Sequence, residues 1–120
     1  MLDAGERVAL PAAARRGEPL SYLPWTPQTP MEAGRWDILH PAAGAPVTPD
    51  VLLVPLVGFD GAGHRLGYGG GYFDRTLAAL TPRPLAVGLG FEAQRLADLG
   101  PRPHDQPMDV IVTEAGVFER

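Results

Sequence analysis

The sequence predicts an α/β fold with a mainly parallel sheet, and three features carry that prediction. Residues 51 to 57 (Val51-Leu52-Leu53-Val54-Pro55-Leu56-Val57) are apolar without a break, the pattern of a strand covered on both faces. A glycine-rich loop and a helix-like run, Tyr72 to Leu80, follow directly. Pro84 to Phe91 and Asp109 to Thr113 then supply two more strands, so strand and helix alternate.

Taken in order, Arg7-Val8-Ala9-Leu10-Pro11 reads as a short strand that proline ends. A turn over Arg15 to Pro19 leads into strand-like Leu20-Ser21-Tyr22-Leu23, with Trp25 behind it. Pro24, Pro27 and Pro30 argue against helix, so Met31 to Gly34 is expected to be an irregular connection or a short turn. Trp36 to Pro41 resumes an extended course, and Pro46 to Pro49 break the chain ahead of the central strand. The expected helix offers Leu77, Ala78 and Leu80 to the sheet and closes at Thr81-Pro82. Glu92 to Leu99 reads as a short helical or turn segment, and Asp109 to Thr113 as the last strand.

A chain of 120 residues suits one domain. Ten basic and fourteen acidic side chains give a formal charge of −4 without long blocks of either sign. The electrostatic footprint of a nucleic-acid binder is therefore missing, and a small-molecule partner is expected. Without cysteine there are no disulfides, thiolate nucleophiles or Cys-based zinc sites. Without lysine there is no Walker-type phosphate loop and no Schiff base. The single serine, Ser21, lies outside any Gly-x-Ser-x-Gly elbow. No leader-like segment opens the chain and no apolar run approaches the ~18 residues of a membrane span, so a soluble, cytoplasmic protein is expected.

The functional signal is concentrated in one loop. Seven of the fifteen glycines fall between Gly58 and Gly71, after the central strand and before the helix. Glycine lets backbone N–H groups turn toward one point, and a helix N-terminus behind them adds partial positive charge. The stretch reads as an anion cradle for phosphate. Arg65 on its approach could pair with phosphate oxygens, and Asp74 in the first helical turn could hold Mg²⁺ against them. The bland alternative is a glycine-rich hairpin whose Asp74 merely favours the helix start. Asp109 is a second candidate carboxylate, or a solvated turn residue. His40, His64 and His104 give no metal-ligand spacing. Trp25 and Trp36 could stack on a flat heterocycle or simply cover the core.

Three strings together resemble the 5-formyltetrahydrofolate cyclo-ligase family, also called 5,10-methenyltetrahydrofolate synthetase. They are Asp50 to Asp60, Arg65-Leu66-Gly67-Tyr68-Gly69-Gly70-Gly71-Tyr72-Phe73-Asp74-Arg75, and Pro107-Met108-Asp109-Val110-Ile111-Val112-Thr113-Glu114. Val8 to Pro11 and Trp36 to Pro41 also resemble upstream segments of that family. The resemblance implies a three-layer, Rossmann-like sandwich of the NagB/RpiA/CoA-transferase type, of which residues 1–120 would be a single domain corresponding to the C-terminal part. It implies a ligase that uses ATP and Mg²⁺ to convert 5-formyltetrahydrofolate to 5,10-methenyltetrahydrofolate, releasing ADP and phosphate. The formyl oxygen attacks the γ-phosphate, the amine at position 10 closes the ring, and phosphate leaves.

Carried over by position, the same resemblance assigns Arg65, Leu66, Gly67, Tyr68, Gly69, Gly70, Gly71, Tyr72 and Phe73 to the nucleotide, with Arg65 and Tyr72 catalytic. Trp36, Tyr68, Gly69, Gly70, Gly71 and Tyr72 would meet the folate, and Asp74 and Asp109 the Mg²⁺. Two departures accompany it. Family members carry an N-terminal region with a basic helix that contacts ATP phosphates, which this chain is expected to lack. His40 also stands where Gln or Glu is usual. A homo-oligomer that completes the sheet is one expectation. The alternative to a working ligase is an inactive truncated homologue that binds nucleotide or phosphate.

Overall fold

Residues 51–55 of the apolar run form the strand on which the rest is built, but among the described residues only one of its faces is covered. The computed structural model describes residues 7–12, 18–34, 38–66, 71–100 and 105–119. Within them the strands are β1 (Val8–Ala12), β2 (Ser21–Trp25), β3 (Met31–Ala33), β4 (Leu39–Pro41), β5 (Val51–Pro55), β6 (Gly58–Phe59), β7 (Arg65–Leu66), β8 (Leu85–Leu89), β9 (Val110–Thr113) and β10 (Gly116–Glu119). One α-helix, α1 (Tyr72–Ala79), joins β7 to β8, and a 3-10 turn (Glu92–Gln94) follows β8.

The main sheet has the order β10-β9-β8-β5. β5 pairs with β8 in parallel, β8 with β9 in parallel, and β9 with β10 antiparallel. A strand, a helix and a parallel strand in succession are what the alternation of patterns predicts, so the α/β expectation holds. β10 was not expected: Glu114-Ala115 turns the chain back so that Gly116 faces Thr113, with Gly116 at φ +144. Four residues with one glycine carry too little period-2 signal to register as a strand.

Coverage is the larger correction. Along β5 the exposure alternates, Leu52 at 1% against Leu53 at 51%, with Val54 buried and Val51 exposed. Leu52 and Val54 face Ala86, Leu77, Met108 and Ile111 in one core. Leu53 and Val51 share the other face with Leu85 and Leu89, all exposed. An unbroken apolar run therefore did not mean a strand covered on both sides. Of the three layers expected, the described residues form a sheet with a helix on one face. Gly88 lets that core close, since a Cβ there would stand 3.1 Å from both Leu56 and Met108 side-chain atoms.

Helix α1 packs through Phe73, Thr76, Leu77 and Leu80, positions three and four apart, and not through Ala78, which is exposed. Size and spacing explain this: the i, i+3, i+4, i+7 stripe set by Phe73 passes over Thr76 and misses Ala78. Thr76 Oγ1 donates to Tyr72 O at 2.6 Å and accepts from Leu20 N at 2.8 Å, so one buried hydroxyl ties α1 to the segment entering β2.

Two proline-rich segments are more regular than expected. β1 and β2 pair antiparallel with Pro11 and Pro24 both inside the ladder, as a two-stranded ribbon permits when the missing N–H faces outward. Met31 to Gly34 is not an irregular connection: Met31–Ala33 pairs antiparallel with β4, and Gly34 N donates to Ile38 O at 2.9 Å. Trp25 is half-buried opposite Val8. Tyr22 reaches the core, where burial pushes its phenol up to about 12, and its hydroxyl has no hydrogen-bond partner among the described residues.

Candidate functional site

The glycine-rich stretch splits into a short hairpin and a helix start. β6 and β7 pair antiparallel, Phe59 against Arg65 and Gly58 against Leu66. The turn between them is closed by Asp60, whose Oδ1 accepts from Ala62 N and His64 N, both at 3.0 Å. Its Oδ2 accepts from His64 Nδ1 at 3.1 Å and Leu99 N at 3.3 Å. Burial would raise the Asp60 carboxyl, but the hydrogen bonds from the His64 ring, the His64 N–H, Leu99 and Ala62 outweigh it and hold the group below the usual carboxylate range.

Arg65 leaves this turn and goes inward. Its side chain is 7% exposed, with Nη2 at 3.7 Å from Asp74 Oδ1 and the guanidinium 5.4 Å from the Phe73 ring. Burial pulls the guanidinium below its ordinary range, and the charges of Asp74 and Asp105 offset part of that. Its Nε finds no hydrogen-bond partner among the described residues. A buried cation with a spare donor costs free energy unless a further acceptor arrives.

Gly71 caps α1 at φ +68, with its carbonyl accepting from Arg75 N at 3.0 Å. A Cβ there would meet Arg75 Nη1 at 2.9 Å, so glycine is needed both for conformation and for room. No side chain caps the helix, and Asp74 lies in its first turn. Asp74 Oδ1 accepts from Gln106 N at 2.9 Å and lies 3.7 Å from Arg65 Nη2.

Asp109 stands at the entrance to β9. Its Oδ2 accepts from Arg83 Nη1 at 2.7 Å and from Ala86 N at 2.8 Å. Among the described residues no three His, Cys, Asp or Glu side chains converge on one point. Magnesium is commonly held by one or two carboxylates, with phosphate and water filling the other positions. Asp74, in the first turn of α1 beside Arg65, fits that arrangement; Asp109 already has its charge balanced by Arg83.

Of the residues assigned from sequence, Arg65, Leu66, Gly71, Tyr72, Phe73 and Asp74 cluster where β7 hands over to α1. Trp36, Gly67, Tyr68, Gly69 and Gly70 lie outside the described residues, as does His104. Three residues were given no role by the sequence reading. Arg75 stacks on the Tyr72 ring at 5.0 Å, Asp105 contributes charge to Arg65, and Asp60 holds the hairpin turn. For Arg75 a signal was available, since it follows Tyr72 by three and Gly71 by four on a helix. For Asp105 nothing local announces the contact.

A buried arginine beside a helix N-terminus in an α/β fold defines a candidate anion site. Comparison with known proteins places it: the chain belongs to the 5-formyltetrahydrofolate cyclo-ligase family, whose family model matches residues 1–114. The 5-formyltetrahydrofolate cyclo-ligase of Haemophilus influenzae is 37% identical over 100 residues, covering 78% of this chain and 54% of that protein. That of Escherichia coli is 36% identical over 123 residues, covering 97% of this chain and 68% of its own length. Among solved structures, Aquifex aeolicus 5,10-methenyltetrahydrofolate synthetase aligns with a TM-score of 0.79 at 33% identity, over 95% of this chain and 58% of that one. The chain thus spans between about half and two thirds of the length of these relatives. Among the described residues, no helix is long and apolar enough to cross a membrane.

Proposed function

We propose that this chain acts as an ATP-dependent ligase that cyclises 5-formyltetrahydrofolate to 5,10-methenyltetrahydrofolate in the cytoplasm, releasing ADP and phosphate. The observation that carries the reading is Arg65: an almost fully buried guanidinium whose Nε has no partner among the described residues, set beside the N-terminus of α1 and the Asp74 carboxylate. A phosphate oxygen is the acceptor that such a group lacks.

In the first step the formyl oxygen bonds to the γ-phosphorus as the bond to the ADP oxygen breaks. In the second, the amine at position 10 attacks the formyl carbon and loses its proton, and the carbon–oxygen bond breaks to free phosphate. The protein's share is alignment and charge neutralisation. Arg65 and the backbone N–H groups of Gly67, Tyr68, Gly69, Gly70 and Gly71 would bind the phosphates, with Leu66 and Phe73 walling the nucleotide. Tyr72 would sit at the seam between nucleotide and folate, positioned by Arg75, with Trp36 against the pterin. Asp74 would hold magnesium, which would neutralise phosphate charge when bound; Asp109, the second carboxylate the resemblance assigns to it, would have to exchange its pairing with Arg83 for the ion.

The test is the growth of methenyltetrahydrofolate absorbance when the chain is mixed with 5-formyltetrahydrofolate and MgATP. Arg65→Ala is expected to lower the rate on the order of a hundredfold, the usual cost of losing one charged contact to a transition state. An inactive parent chain, or an Arg65→Ala chain as fast as the parent, would sink the reading.

A further inference from the structure

Asp60 makes more of its carboxylate than a hairpin turn requires. An Asx turn needs one or two hydrogen bonds to nearby backbone, and the two to Oδ1 from Ala62 and His64 provide them. The side chain is nevertheless 4% exposed, and Oδ2 also holds the His64 ring and the N–H of Leu99, 39 positions away. A carboxylate is retained in such a place only when N–H donors surround it.

The turn that Asp60 closes connects with the candidate phosphate site by two routes. Forward along the chain, His64 is followed at once by Arg65. Across the fold, Gly63 sits at φ +87 with its carbonyl accepting from Met108 N at 2.7 Å. Met108 belongs to a four-residue stretch in which Gln106 N donates to Asp74 Oδ1 and Asp109 N donates to Ala86 O at 2.9 Å. One carboxylate therefore fixes the direction of the Gly63 carbonyl, which holds the stretch that holds Asp74. The two ends of these routes are the two partners of the Arg65–Asp74 pair, 3.7 Å apart.

We propose that Asp60 is a positioning residue for the phosphate site: through the turn it closes, it sets Arg65 against Asp74 and keeps the buried guanidinium aimed at the incoming phosphate. The inference rests on the function proposed above and deepens it. Placement matters because displacing a binding group by about 1 Å can cost on the order of a hundredfold in rate. Asp60→Asn preserves the shape and one acceptor oxygen, but turns an NH₂ group toward the His64 ring and Leu99. Glu92→Gln is the comparator. It weakens another carboxylate cluster, Glu92 with Arg95 and Thr113, that shares no hydrogen bond with Arg65, Asp74 or the stretch from Gln106 to Asp109.

Calorimetric titration of each full chain with MgATP, and separately with 5-formyltetrahydrofolate, tests the proposal. Asp60→Asn is expected to weaken MgATP about tenfold, the loss of one charged hydrogen bond, with folate affinity unchanged. Glu92→Gln is expected to change neither. Parent-like MgATP affinity in Asp60→Asn overturns the positioning role, as does an equal loss of both ligands or an equal loss in Glu92→Gln. If Asp60→Asn does not fold, His64→Ala removes only the ring donor and should weaken MgATP about threefold; parent-like affinity there is equally fatal. A parent chain that binds no MgATP overturns the underlying function as well, which separates that failure from the others.

Discussion

The two faces of β5 are one residue apart in sequence and opposite in environment. Leu52 and Val54 lie in a core closed by α1, Met108 and Ile111, whereas Val51 and Leu53 stay about half-exposed beside Leu85 and Leu89. Among the described residues β5 is also the end strand of the sheet. Leu85 N donates to Asp50 O and Leu56 N donates to Leu89 O, so even-numbered residues turn their backbone groups to β8 and odd-numbered ones turn outward. Pro55 falls at an outward position, where its missing N–H costs the ladder nothing. Apolarity is the same on both faces, and what differs is whether another element arrives to cover it. A strand's composition thus reports its tolerance for burial, and only its neighbours make the burial real.

Four changes break or sharpen that contrast. The largest effect is expected from Leu52→Ala, which should lower unfolding free energy by about 3 kcal/mol in urea titrations, the cost of a cavity in a closed core. A value under ~1 kcal/mol would mean that the covered face is not packed as described. Next comes acid. The covered side also buries Asp60, whose folded pKa is depressed below its unfolded value near 3.9. Its contribution is present above that unfolded value and is lost as pH falls through the folded one. Stability measured from pH 6 down to pH 2 should drop less steeply in Asp60→Asn than in the parent; identical slopes would remove Asp60 from the acid response. Third, Tyr22→Phe removes a buried hydroxyl that has no partner among the described residues and should raise stability by about 1 kcal/mol in thermal melts. A loss instead would reveal a partner for that hydroxyl. Smallest is Leu53→Ala on the open face, expected to cost less than ~1 kcal/mol because half of that side chain is already in water. A cost equal to that of Leu52→Ala would show that both faces are covered in solution.

Local chemistry made much of the fold legible. The central strand, the helix after the glycines, β8, β9 and the order in which they alternate all follow from runs of apolar residues punctuated by glycine and proline. β10 and the β3–β4 hairpin were not legible, because three or four residues hold too little period to outweigh nearby turn signals. Within the candidate site, Arg65, Gly71, Tyr72, Phe73 and Asp74 could be read because the loop and the first helical turn are contiguous. The approach of Asp105 to Arg65 and of Gln106 to Asp74, 32 positions away, could not. Ala78 was misassigned for a related reason: the helix face depends on where Phe73 points, and that is set by packing against the sheet.

By itself, the sequence determined the α/β class, the position of the strand-loop-helix unit, the exclusion of lysine and cysteine chemistry, and the family resemblance. These are properties of residue type and short-range spacing, and they survive any arrangement of the rest of the chain. Tertiary structure alone decided which face of β5 is covered, that Arg65 is buried against Asp74, and that the hairpin turn holds Leu99 through Asp60 and Met108 through the Gly63 carbonyl. Each of these depends on contacts between separate elements, by apolar packing, charge or hydrogen bonds. Such meetings are selected by the free energy of the whole packed molecule and leave no periodic trace in the chain.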